Sequence, residues 1–138
     1  MYYIKFIMKN NILKSIEYLY YLSLIALFIL YLFPGSLIGY FLYSDLSRQP
    51  DLVNTPIGTS INHFFYFIYL SVLGLIYRSK NQKMINSFQF LFSISILLEL
   101  LHYFIPSRAF ELYDLLANSV GVIFVYLFLN FLIKKNIN

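Results

Sequence analysis

Glu99 stands near the end of one long apolar run, and His102 follows it at i+3. Pro106 and Arg108 come next, then Asp114 and Asn118 at the start of a second apolar run. Asn62 and His63 open a third. A carboxylate and an imidazole three residues apart share a helix face. They could work as acid and base, because burial raises a carboxyl pKa towards the useful range. An arginine nearby offers two parallel donors to a carboxylate or to an anionic ligand. Ionisable groups inside apolar segments cost about 2.5–3.5 kcal/mol each on insertion scales, so where they gather they mark a site or a paired network.

The elements that must position these groups are apolar helices. The 138 residues are 60% hydrophobic and 12% charged, with a mean hydropathy of +0.71. A soluble domain carries about 25% charged residues, so lipid is the expected solvent. The length allows a single domain, residues 1–138, of a few spans. Four spans are expected, at about 16–33, 61–77, 85–104 and 115–133. Residues 1–15, with Lys5, Lys9 and Lys14, read as an interfacial lead-in. Glu17 reads as a first-turn carboxylate at the positive end of a helix dipole. Pro34-Gly35 and Ile105-Pro106 are helix breakers, the run 37–43 is too short to span, and 44–60 has loop chemistry. The first span reads as a retained anchor, since no small-residue cleavage site follows it.

Basic residues orient the chain. With both ends cytoplasmic, the inner side holds Lys5, Lys9, Lys14, Arg78, Lys80, Lys83, Lys134 and Lys135, against Arg48 and Arg108 outside. That is a strong positive-inside bias. Asn62 and His63 then lie at the outer end of the second span, and Glu99 about 8 Å below the exit of the third at 1.5 Å per residue. Ser95 extends the Glu99–His102 stripe inward. Asp114, Asn118, Gly121 and Val125 share one face of the fourth span, polar at the top, with Gly121 permitting close helix approach. The expected site is one cluster of Asn62, His63, Glu99, His102, Arg108, Asp114 and Asn118 at the outer face.

The pattern Glu99-x-x-His102-x-Phe104-x-Pro106-x-Arg108, followed by Asp114-x-x-Ala117-Asn118-x-x-Gly121, resembles the VanZ-like family of small membrane proteins. That family shows Glu-x-x-Gln, then Arg, then Asp-x-x-x-Asn-x-x-Gly, and His63-Phe64 resembles its second-span motif. The likeness covers roughly residues 60–130. His102 replaces the usual Gln, Thr59-Ser60 stands where Asp-Lys commonly precedes the His, and Val125 replaces a second Gly. The resemblance implies an integral protein of the bacterial cytoplasmic membrane, its namesake being associated with resistance to the glycopeptide teicoplanin.

Several bland readings stand beside the sharp one. Glu99 and Arg108 could form a structural ion pair. Asp114 could cap its helix, Asn118 could bond a neighbouring helix, and His63 could be an interfacial histidine. The Tyr residues at 18, 20, 21, 66, 69 and 126 read as packing or belt residues. His63 and Asp114 could complete a zinc shell with Glu99 and His102, but Gln, the family's residue at position 102, is a poor ligand. No cofactor or metal is therefore expected. With no cysteine, thiolate chemistry is excluded. No phosphate-binding glycine loop, serine triad or dinucleotide fingerprint occurs, and no nucleic-acid contact is expected. The expected fold is an all-α membrane protein packed as a small four-helix bundle. Its expected partners are membrane lipids and an envelope ligand, lipid-linked or glycan. The alternatives are a membrane enzyme using Glu99 or His102 as acid–base, or a purely structural subunit.

Overall fold

A computed structural model describes residues 2–50, 58–78 and 83–137. Among these residues the protein is all-helical: α1 (Tyr2–Leu32), α2 (Leu37–Tyr43), α3 (Gly58–Arg78), α4 (Phe88–Leu101) and α5 (Leu112–Ile137). Two 3-10 turns, Met84–Asn86 and His102–Phe104, flank α4. Two segments are long and apolar enough to cross a membrane, Asn11–Leu32 and Gly58–Tyr77. Two shorter apolar helical stretches are Phe88–Phe104 and Leu112–Phe128.

The first helix is longer than the expected span. No Pro or Gly interrupts residues 2–32, and lysine is a good helix former, so the lead-in joins the helix and does not lie apart from it. Glu17 is consequently in mid-helix, where it accepts a hydrogen bond from the Tyr77 hydroxyl at 2.7 Å. Gly35 takes φ +85, a conformation open to glycine at little cost, and turns the chain out of α1. Ser36 then caps α2 by accepting from the Gly39 amide at 2.9 Å. Of the predicted 44–60 loop, residues 51–57 lie outside the described residues, and residues 58–60 are already helical. The third run is broken where one helix was expected, because Ser87 accepts from Phe90 N at 3.1 Å and starts α4 afresh.

Helix α3 packs against α1 on one side and α5 on the other, and α4 packs chiefly against α5. The buried stripes have helical spacing: Tyr20, Leu24, Leu27 and Tyr31 on α1; Phe67, Leu70 and Tyr77 on α3; Leu91, Ile94 and Leu98 on α4. Gly121 brings α5 so near α3 that an added Cβ would lie 2.8 Å from the Phe64 carbonyl oxygen. The helices are apolar on their outward faces too. Leu22, Ile25, Phe28, Phe65, Leu97, Val120, Phe124 and Leu127 are all exposed.

Opposite ends of the molecule differ in kind. At one, Tyr20, Tyr21 and Tyr77 gather with Glu17, and Tyr20 donates to Ile85 O at 2.6 Å. At the other, the end of α1, the start of α3, the end of α4 and the start of α5 meet through polar side chains.

Candidate functional site

Tyr31, near the C-terminal end of α1, is the hub. Its hydroxyl donates to Asn118 Oδ1 at 2.8 Å and meets His63 Nδ1 at 2.5 Å. Its ring stacks on His102, with centroids 5.4 Å apart. Asn118 Nδ2 donates to Ser95 O at 3.4 Å, tying α5 to α4. On the other side of His63, Nε2 lies 3.5 Å from Asp114 Oδ2, while Asp114 Oδ1 accepts from Ser60 Oγ at 2.5 Å.

Proton positions along this chain follow from the orientation of the Asn118 amide. Because Asn118 Nδ2 donates to Ser95, Oδ1 is left to accept, so the single hydroxyl proton of Tyr31 goes to it. Tyr31 Oη then accepts from His63, which places a proton on Nδ1. His63 Nε2, facing the Asp114 carboxylate, keeps its lone pair unless the ring is charged.

Glu99 and His102 form the other half. Glu99 is fully buried; its Oε1 accepts from the Glu111 backbone amide at 3.0 Å and faces His102 Nδ1 at 3.2 Å. His102 Nε2 faces the Tyr31 carbonyl at 3.2 Å, an acceptor only, so Nε2 carries a proton. Glu99 Oε2 has no hydrogen-bond partner among the described residues.

Two expected pairings are corrected. Arg108 does not bond Glu99. Its Nε donates to Phe33 O at 3.2 Å and its Nη2 to Leu30 O at 2.5 Å. These are carbonyls left without amide partners at the end of α1, and a cation there also meets the negative end of the helix dipole. Desolvation lowers the Arg108 pKa from its ordinary value, but a guanidinium stays charged. Asp114 is not the cap either. α5 begins at Leu112, and the Glu111 carbonyl accepts from the Asp114 and Leu115 amides. Asp114 therefore sits within the first turn and spends its side chain on Ser60 and His63.

Of the seven expected site residues, His63, Glu99, His102, Asp114 and Asn118 join one network. Asn62 and Arg108 do not bond to these five. Asn62 donates to Pro50 O at 2.6 Å. What unites Asn62 and Arg108 with the network is a cavity of about 120 Å³ between the ends of α1, α2 and α3. Tyr31, Asn62, His63, His102 and Arg108 give it a polar wall, and Leu27, Leu30, Leu37 and Ile38 an apolar one. Glu99, Asp114 and Asn118 stand behind that wall. Tyr31 and Ser60 escaped the sequence reading. Tyr31 could have been found as the last member of the stripe Tyr20, Leu24, Leu27, Tyr31; Ser60 stands out only as part of the Thr59-Ser60 pair ahead of His63.

One donor atom from each of His63, Glu99 and Asp114 lies within 4.8 Å of the other two. No protein-family model, no curated protein and no solved structure matches this chain.

Proposed function

We propose that the chain is a VanZ-like integral protein of a bacterial cytoplasmic membrane. It has four spans and cytoplasmic termini, and it binds a cell-envelope ligand at its outer face. The carrying observation is the cavity, whose wall combines Arg108, Asn62, His63 and His102 with aliphatic side chains. That mixture suits the junction of an anionic head group and a hydrocarbon chain. Arg108 Nη1 makes no hydrogen bond to the described residues, which leaves donors for a phosphate. The volume of about 120 Å³ is well under the roughly 300–1,000 Å³ of a drug-sized pocket. The cavity therefore takes a phosphate or a single sugar fragment of a lipid-linked or glycan molecule, the rest lying in lipid or water. A link to glycopeptide resistance belongs to the same reading.

Four spans are supported by the outward faces of α4 and α5. These expose Leu97, Leu100, Leu116, Val120, Phe124 and Leu127, as lipid contact requires. Orientation is supported by the basic bias, eight residues on one side and two on the other. The enzyme reading keeps one specific support: His102, which lies within hydrogen-bond distance of Glu99, also lines the cavity.

The test is lipid extraction from protein purified in mild detergent, with mass spectrometry of whatever anionic lipid remains bound. Arg108→Gln and Ile38→Trp, which fills the cavity, should each strip that lipid, and glycopeptide sensitivity should follow at unchanged protein level. Equal lipid retention in both variants and the wild type would reject the cavity as the site.

A further inference from the structure

We infer that His63, Glu99 and Asp114 form a binding site for a divalent transition-metal ion of the zinc class, on the inner side of the cavity wall. The inference goes beyond the proposed envelope ligand and does not depend on it. Each of the three residues uses one atom to fix itself in the protein and has a second donor atom besides. His63 Nδ1 is held by the Tyr31 hydroxyl, which leaves Nε2. Asp114 Oδ1 is held by Ser60, which leaves Oδ2. Glu99 Oε1 is held by the Glu111 amide, which leaves Oε2, fully buried and without a partner. Outer contacts of this kind orient metal ligands and set the imidazole tautomer.

The proton bookkeeping points the same way. With the proton on Nδ1, the Nε2 lone pair looks at the Asp114 carboxylate oxygen across 3.5 Å. Lone pair against anion is repulsive unless a cation, a metal ion or the second proton of a charged imidazole, lies between them. Two ligands held about 2.05 Å from a tetrahedral ion stand ~3.3 Å apart, close to that spacing. Glu99 brings a third donor atom within 4.8 Å of both. Two carboxylates neutralise a divalent ion in a setting where an unpaired carboxylate is costly. One imidazole and two oxygens suit Zn²⁺ and its first-row neighbours better than Ca²⁺, which takes oxygen ligands alone. His63 belongs both to this triad and to the cavity wall, so the two sites adjoin.

The experiment uses the whole chain in detergent, stripped with a chelator and titrated with Zn²⁺ or Co²⁺ alone. Bound metal is counted by mass spectrometry, and coordination is read from the visible spectrum of the Co²⁺ form. One ion per chain with a four-coordinate Co²⁺ spectrum is expected. Asp114→Asn and His63→Ala should weaken binding by about 100-fold or more. Tyr31→Phe, which removes the hydroxyl that holds His63 Nδ1, should weaken it by roughly 10–100-fold. Asp45→Asn, which removes an exposed carboxylate elsewhere, should change nothing. Should a ligand variant fail to fold, X-ray absorption on the wild-type Zn²⁺ form decides, since imidazole scattering must be present. A wild type that binds no stoichiometric ion, or a bound ion without imidazole, overturns the site, as does equal affinity in folded ligand variants. Because no envelope lipid is added, failure here leaves the cavity reading standing, and loss of lipid binding leaves this one.

Discussion

Replacing Tyr31 by Phe removes one oxygen and keeps the ring, so it opens no space in the core. Stacking on His102 survives, as does the edge contact with Phe67. What disappears is the acceptor for His63 Nδ1–H and the donor to Asn118 Oδ1, at 2.5 and 2.8 Å. Asn118 is fully buried, so its oxygen loses the hydroxyl donor away from solvent. On the scale of soluble proteins, two stranded groups would cost about 2–6 kcal/mol. Hydrogen bonds between membrane helices average only ~0.6 kcal/mol and reach ~1.7, because the unfolded chain in lipid also finds partners. In the proposed membrane setting two bonds therefore predict a loss of about 1–3 kcal/mol. Reversible unfolding in mixed micelles measures it, and a cycle with Asn118→Leu supplies the control. Once residue 118 has no oxygen to strand, part of the Tyr31→Phe loss should vanish, giving a coupling of about 0.5–1.5 kcal/mol. A loss under ~0.3 kcal/mol for Tyr31→Phe, or strict additivity in the cycle, would refute the hub and the proton assignment built on it.

Gly121→Ala should destabilise by about 1–3 kcal/mol, since its Cβ would meet the Phe64 carbonyl at 2.8 Å; an unchanged unfolding midpoint would mean that α3 and α5 are not so close. Desolvation, then the charges of Asp114 and Glu99, hold the Glu111 carboxyl above its ordinary 4.5. A raised folded-state pKa means that the folded form binds the proton more tightly, so stability is lost as pH rises through that value. Glu111→Gln should therefore match the wild type at pH near 4 and be the more stable of the two at neutral pH, as unfolding at both pH values will reveal. In intact cells an impermeant thiol reagent should label Ser47→Cys and Ser107→Cys, and should reach Met84→Cys only after permeabilisation. Labelling of position 84 from outside would reverse the orientation.

Some of this was written in local sequence. Apolar runs, the breaks at Pro34-Gly35 and Ile105-Pro106, and the face Asp114, Asn118, Gly121, Val125 depend on neighbours three or four residues away, so an all-helical chain and that buried face could be read directly. Gathering polar groups at helix ends was legible for the same reason. Partner choice was not. Arg108 turns to the Leu30 and Phe33 carbonyls, 78 and 75 residues distant, and Glu99 to the Glu111 amide. Every residue carries such backbone groups, and only helix ends leave them free, so side-chain pairing rules pointed to an ion pair that the fold did not need. Tyr31 is one tyrosine among fourteen. Its rank comes from α1 packing against α3 in a register that sets its hydroxyl between His63 and Asn118. That register depends on side-chain packing between segments far apart in the chain, and it exists only once the helices have met.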